Sequence, residues 1–132
     1  MNSNIIIVDD DPLVGLVAGQ MLVGSGFDIQ LISDSLTAEE IIRREKPRLV
    51  LLDICMPGMD GITLCQKLKA SPETQGITVA AISGRAKSAV KAKMLELGAA
   101  DFIDKPFELN DFPGRIARLM ASDSPSTQPP RE

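Results

Sequence analysis

The sequence predicts an α/β domain, a five-stranded parallel sheet with helices on both faces. Three observations predict it. Apolar runs alternate with helical patterns five times along the chain. The runs at 5–8, 49–52 and 77–82 are continuous rather than alternating, which suits strands covered on both faces. A length of 132 residues, 44% hydrophobic and 24% charged, is enough for one domain with one core.

The elements follow in order. Ile5–Val8 is the first strand. Asp11 then precedes Pro12, an N-cap oxygen followed by proline at the first helical position, so a helix starts there. Val14, Val17, Ala18, Met21 and Leu22 continue it at helical spacing. Phe27–Ile32 is the second strand, and Ala38, Ile41 and Ile42 mark the second helix. Leu49–Leu52 is the third strand, followed by Leu64, Cys65 and Leu68 on a third helix. Ile77–Ile82 is the fourth strand, with Ala86, Val90, Met94 and Leu97 behind it. The short run Phe102–Ile103 is the fifth, followed by Phe112, Ile116 and Leu119. Crossovers in such a sheet are right-handed.

The start of the last helix is constrained by Pro113. Proline inside a helix costs about 3 kcal/mol or more, but its missing N–H matters little in the first turn. Asn110 is a good N-cap, so the helix is predicted to begin there within one residue, with 107–109 extended or turning. The domain spans 1–121, and the Ser- and Pro-rich stretch 122–132 reads as a flexible tail or interdomain linker.

Composition narrows the function. A net charge of −4 argues against a nucleic-acid or membrane surface as partner. The chain has no His, which removes His-based acid–base chemistry and His metal sites. Trp and Tyr are absent too, which weakens base stacking on single strands. No export signal or membrane-length apolar run is visible, and Cys55 and Cys65 read as reduced thiols, so a cytoplasmic location is expected. Cys65 on a helix face reads as a small core residue, and Lys87, Lys91 and Lys93 as a solvated face.

In an open α/β sheet the functional crevice lies beyond the carboxyl ends of the strands. Collecting the residues found there gives Asp9, Asp10, Asp53, Ser83 and Lys105. Two unit charges about 4 Å apart repel by roughly 4 kcal/mol at an effective dielectric near 20, so three carboxylates need cations or raised pKa values. One Lys is not enough. A hard divalent cation such as Mg²⁺, which takes carboxylates, waters and a phosphoryl oxygen, is the natural remedy. A metal, a Lys and a hydroxyl around a carboxylate form a phosphoryl-handling site, and a carboxylate can itself be the nucleophile.

With these residues assembled, the sequence resembles a receiver domain of a two-component response regulator, the chemotaxis regulator being the simplest member. The motifs are Asp9-Asp10, "LLDICMPGMDG" at 51–61, Ser83 and "DKPF" at 104–107, and the resemblance covers residues 4 to 120. It implies a flavodoxin-like, doubly wound sheet in the order 2-1-3-4-5. It implies that Asp53 is the phosphoacceptor for a histidine kinase or phosphotransfer protein. By the same resemblance Asp10 is a direct Mg²⁺ ligand, Asp9 a water-bridged one, and Asp53 and the backbone carbonyl of Cys55 complete the protein's ligands. Lys105 pairs with Asp53 and then with the phosphoryl group, and Ser83 and Phe102 act as the switch. Output runs through the surface of the fourth helix, fifth strand and fifth helix. Gly58 and Gly61 fit a tight turn that tolerates positive φ, and the Lys105–Pro106 peptide is expected cis.

The sequence departs from the family pattern in places. Phe102 stands where the family often has Tyr, so the switch acts through packing alone. Cys55 and Arg85 occupy positions that influence phosphoryl lifetime. Gly98-Ala99-Ala100-Asp101-Phe102 lacks the first acid of the family's stretch, which weakens the charged dimer interface of DNA-binding members. A phosphorylation-dependent dimer stays among the expected partners, whereas direct nucleic-acid or membrane binding by the domain does not. The chain is not expected to be an enzyme beyond its own phosphorylation and autodephosphorylation. Downstream, it is either a stand-alone regulator or the receiver part of a longer response regulator or hybrid kinase. The rivals are an Asp-nucleophile phosphatase, which would need an Asp where Cys55 stands, a pseudo-receiver, and a nucleotide binder, for which no Gly-rich phosphate loop follows the first strand.

Overall fold

The structure, a computed structural model, describes residues 4–54, 61–84 and 88–121. Ten elements alternate: β1 (Ile5–Val8), α1 (Pro12–Met21), β2 (Ile29–Ile32), α2 (Ser35–Glu45), β3 (Leu49–Asp53), α3 (Gly61–Ala70), β4 (Thr78–Ser83), α4 (Ser88–Glu96), β5 (Asp101–Asp104) and α5 (Phe112–Ala121). The strands form one parallel sheet in the order β2-β1-β3-β4-β5, as the sequence led us to expect.

The continuous apolar runs are the inner strands. Every residue of β1, β3 and β4 is buried, while the edge strands β2 and β5 are only partly so. Strand alternation splits the core into two layers. On one face Ile6, Val8, Val50, Leu52, Val79 and Ala81 pack against α2, α3 and α4 through Ala38, Ile42, Leu64, Cys65, Leu68 and Met94. On the other, Ile5, Ile7, Leu49, Leu51, Ala80 and Ile82 pack against α1 and α5 through Val14, Ala18, Phe112, Ile116 and Leu119.

Three expectations need correction. β2 begins at Ile29, not Phe27. The Asp28 carbonyl accepts from both Asn4 and Ile5 N–H, and the Asp28 N–H donates to the Asn4 side chain, so Phe27 and Asp28 belong to the entry turn. The last helix begins at Phe112, two residues after Asn110. Asp111 and Phe112 N–H both reach the Glu108 carbonyl, closing a separate turn, and Asp111 rather than Asn110 offers the carbonyl that Arg115 N–H bonds. Pro113 is then the second helical residue, where its missing N–H costs little. The reason for Gly61 also differs. Among the described glycines positive φ occurs at Gly24, Gly26 and Gly98, whereas Gly61 opens α3. A Cβ there would stand 2.4 Å from the Asp53 carbonyl oxygen and 2.6 Å from the Ile54 Cα. Glycine is needed for close approach, not for φ.

Asp11 caps α1 as expected: its carboxylate accepts from Leu13 N–H at 3.0 Å, and Pro12 follows at the first helical position. The Lys105–Pro106 peptide is cis. Expectations for Cys55, Gly58, Arg85, Lys87 and the stretch 122–132 lie outside the described residues. No helix of the described residues is long and apolar enough to cross a membrane.

Candidate functional site

Register builds the site. Val8 pairs with Leu52, so Asp9 falls beside Asp53, the last residue of β3. Asp53 pairs with Ile82, so Ser83 lies one residue further along β4. Ser83 pairs with Asp104, so Lys105 lies one further along the next strand, where its N–H donates to the Ser83 carbonyl at 2.9 Å. Four of the five residues collected from the sequence therefore stand in a row at the carboxyl edge, and Asp10 follows Asp9 into solvent.

The acidic residues converge. One carboxylate oxygen from each of Asp9, Asp10 and Asp53 lies within 4.8 Å of the others. Asp9 is fully buried and Asp53 nearly so, while Asp10 is exposed. The two Asp9 oxygens already have partners: one accepts from Asp11 N–H at 3.0 Å, the other from the Lys105 ammonium at 2.9 Å. Lys105 stands 3.7 Å from Asp53. Burial alone would lower the Lys105 pKa, but the hydrogen bond to Asp9 and the charges of Asp53, Asp9 and Asp11 outweigh it and hold the ammonium above its ordinary value. Lys105 is thus a fixed cation among three anions. The hard oxygen donors of the cluster suit Mg²⁺ or a similar ion.

The two sides of the sheet divide the labour. Asp53 follows the alternation of Leu49 and Leu51, which face α1 and α5. Ser83 follows Val79 and Ala81, which face α4. Phe102 packs against that same α4-side cluster. Ser83 therefore shares a face with Phe102 and Asp104 of the neighbouring strand.

Two residues escaped the sequence reading. Arg115 on α5 grips β5, with one guanidinium nitrogen 3.0 and 3.2 Å from the Asp101 oxygens and 3.3 Å from the Phe102 carbonyl. Its Nε donates to Asp111 at 2.9 Å, and that i,i+4 spacing was the available signal. Lys91 on α4, read as part of a solvated face, holds its ammonium 5.3 Å from the Phe102 ring centroid and 3.6 Å from Asp104.

Beside the carboxylates a groove of about 480 Å³ opens between α1 and the segment after β5. Leu13, Val14 and Val17 form one wall; Lys105, Pro106 and Phe107 form the other. Leu13 and Leu16 are more than 60% exposed, an apolar helix face at the lip of a charged site.

A doubly wound parallel sheet with three carboxylates and one Lys gathered at its carboxyl edge defines an α/β domain of the phosphoryl-handling kind. The chain belongs to the response regulator receiver domain family, whose pattern matches residues 5–117. It is 35% identical over 124 residues to the DNA-binding response regulator MtrA of Mycolicibacterium smegmatis, covering 93% of this chain and 53% of that protein. The chain thus spans about half the length of this relative. A solved structure of a putative response regulator from Chloroflexus aurantiacus superposes with a TM-score of 0.83 at 27% identity, covering 92% of this chain and 100% of the other. The BeF3-activated N-terminal receiver domain of RstA from Klebsiella pneumoniae gives 0.80 at 35% identity, covering 89% and 98%.

Proposed function

We propose that Asp53 accepts a phosphoryl group from a phosphohistidine of a histidine kinase or phosphotransfer protein. The observation that carries this reading is the convergence of the Asp9, Asp10 and Asp53 carboxylates within 4.8 Å beside the Lys105 ammonium. An Asp53 oxygen attacks phosphorus, the P–N bond breaks, and the imidazole leaves with the electron pair. Lys105, already oriented by Asp9, neutralises charge on the transferred group. The Ser83 hydroxyl turns to donate to one of its oxygens. Asp10, Asp53 and the Cys55 carbonyl, with Asp9 behind them, would hold Mg²⁺, which when bound supplies further neutralisation of the phosphoryl oxygens. The chain's chemistry ends with its own phosphorylation and hydrolysis.

The groove along α1 suits the phosphohistidine-bearing partner. A donor must bring its phosphorus to bonding distance of Asp53, and the groove is continuous with the site through Lys105. Exposed Leu13, Leu16 and Val17 fit an apolar helix face of such a donor.

The phosphoryl group carries about 1.5 to 2 negative charges, and it replaces the single charge of the Asp53 carboxylate, so the site gains about one charge or less. Ser83 and Phe102 face the α4 side, so movement of the Ser83 hydroxyl toward the phosphoryl group alters packing along α4, β5 and α5. That surface is the proposed output, read by a downstream protein or by a linked domain, in the cytoplasm. MtrA, which bears a DNA-binding name, favours a linked output domain for a longer chain of this kind.

The test is site mapping. After reaction with phosphoramidate and Mg²⁺, borohydride reduction should convert the acyl phosphate to homoserine at position 53. Homoserine at another aspartate would contradict the assignment.

A further inference from the structure

We propose that Lys91 is a positioning residue that latches Phe102 in the partly buried place it holds in this structure and so sets how readily the domain responds to phosphorylation. The latch presupposes the phosphoacceptor reading and specifies how its output is regulated.

Strand geometry brings the parts together. Phe102 and Asp104 are two apart on β5, so both side chains lie on the α4 side. Ser83 pairs with Asp104, and Ala81 pairs with Phe102, so these two residues flank Ser83 on that face. Lys91 spans both: its ammonium is 5.3 Å from the ring centroid and 3.6 Å from the Asp104 carboxylate. One side chain of α4 thus bridges Phe102 and Asp104, the residues that share Ser83's face on the neighbouring strand. Arg115 fixes the backbone beneath, through Asp101 and the Phe102 carbonyl. The strand is therefore held, and the ring is the part left to move.

The ion pair alone does little, because Lys91 is 40% and Asp104 72% exposed. The cation over the ring matters more. It favours the ring where its face meets the ammonium, and Phe102 has no hydroxyl with which to anchor itself in either place. Asp104 aims the ammonium. When Ser83 turns toward a phosphoryl group, the space it leaves lies on the ring's own face of the sheet. A ring that turns there gives up the Lys91 contact, so Lys91 biases the equilibrium toward rest.

Fluorine NMR on the full chain labelled with 4-fluorophenylalanine tests this, with beryllofluoride and Mg²⁺ as phosphoryl mimic. The chain has four Phe residues, and Phe102→Leu assigns the signal. In Lys91→Met, which keeps the aliphatic stem, the resting Phe102 signal should move toward its activated position. The beryllofluoride concentration for half-conversion should fall about two- to fivefold, the factor an exposed cation–π contact supports. Lys91→Arg should restore the wild-type titration, and Asp104→Asn should give an intermediate one. A Phe102 signal that responds to beryllofluoride with the same midpoint in the wild type and Lys91→Met would overturn the latch while leaving the switch intact. A signal that moves in neither chain, although Asp53 is still phosphorylated, would remove Phe102 from the switch and the latch with it.

Discussion

Lys105 gives its 2.9 Å hydrogen bond to Asp9 and stands farther, at 3.7 Å, from Asp53. The charge balance of the cluster is therefore built around the Asp9–Lys105 pair, with the Asp53 carboxylate beside it. Lys105 offsets the charge of Asp53 from a distance longer than its hydrogen bond to Asp9.

Lys105→Met should destabilise the metal-free protein. It leaves fully buried Asp9 without its cation, and removing one partner of a buried pair costs roughly 3–5 kcal/mol. The loss should fall at the low end, because Lys105 is still 23% exposed. Urea unfolding measures it, and Mg²⁺ should narrow the gap. An unchanged midpoint without metal would show that the pair is not stabilising.

Mg²⁺ affinity should depend on Asp10 more than on Asp9. Both Asp9 oxygens already accept hydrogen bonds, whereas Asp10 is exposed beside the cluster. Asp9→Asn should weaken binding on the order of tenfold, as loss of a supporting partner does, and Asp10→Ala should weaken it more. Thermal shifts titrated with Mg²⁺ decide, and equal losses would refute the distinction.

Gly61→Ala should cost about 1–3 kcal/mol, the usual penalty of overpacking. Its Cβ would meet the Asp53 carbonyl oxygen at 2.4 Å, so α3 or the end of β3 must shift. Phosphorylation should slow as well as stability fall. Gly19→Ala, whose Cβ meets nothing within 4 Å, is the control and should be neutral or mildly stabilising. Equal stability of the two variants would contradict the account.

Cys65 should resist alkylation in the folded protein. It is fully buried, and burial pushes its thiol above the ordinary value despite the opposing charge of Lys69. A raised thiol pKa means less thiolate at a given pH, and the thiolate is the reactive form. Iodoacetamide at pH 8 followed by peptide mass should leave Cys65 unmodified until urea is added. Native labelling would show that α3 opens.

Much of the fold was legible because burial on both faces writes itself as continuous apolar runs. β1, β3 and β4 could be located from Ile5–Val8, Leu49–Leu52 and Ile77–Ile82 to within a residue. The edges were harder. Phe27 continues the apolar pattern of β2, yet Asn4 captures Asp28 across the chain and the strand starts only after it, at Ile29. The start of α5 depended on a turn closed by the Glu108 carbonyl, which no residue type announces. In the site, strand-end positions identified Asp9, Asp10, Asp53, Ser83 and Lys105. Which carboxylate Lys105 bonds depends on distances across strands, and the sequence does not carry them. Lys91 looked like a solvated lysine because its partners, Phe102 and Asp104, come from another element.

The most direct test of the central claim is intact mass before and after incubation with acetyl phosphate and Mg²⁺. The wild type should gain one phosphoryl group, lose it on standing, and gain none when Mg²⁺ is chelated. Asp53→Asn should gain none under any condition. A phosphoryl mass that persists in Asp53→Asn, or a wild type that takes up none while remaining folded, would contradict the account.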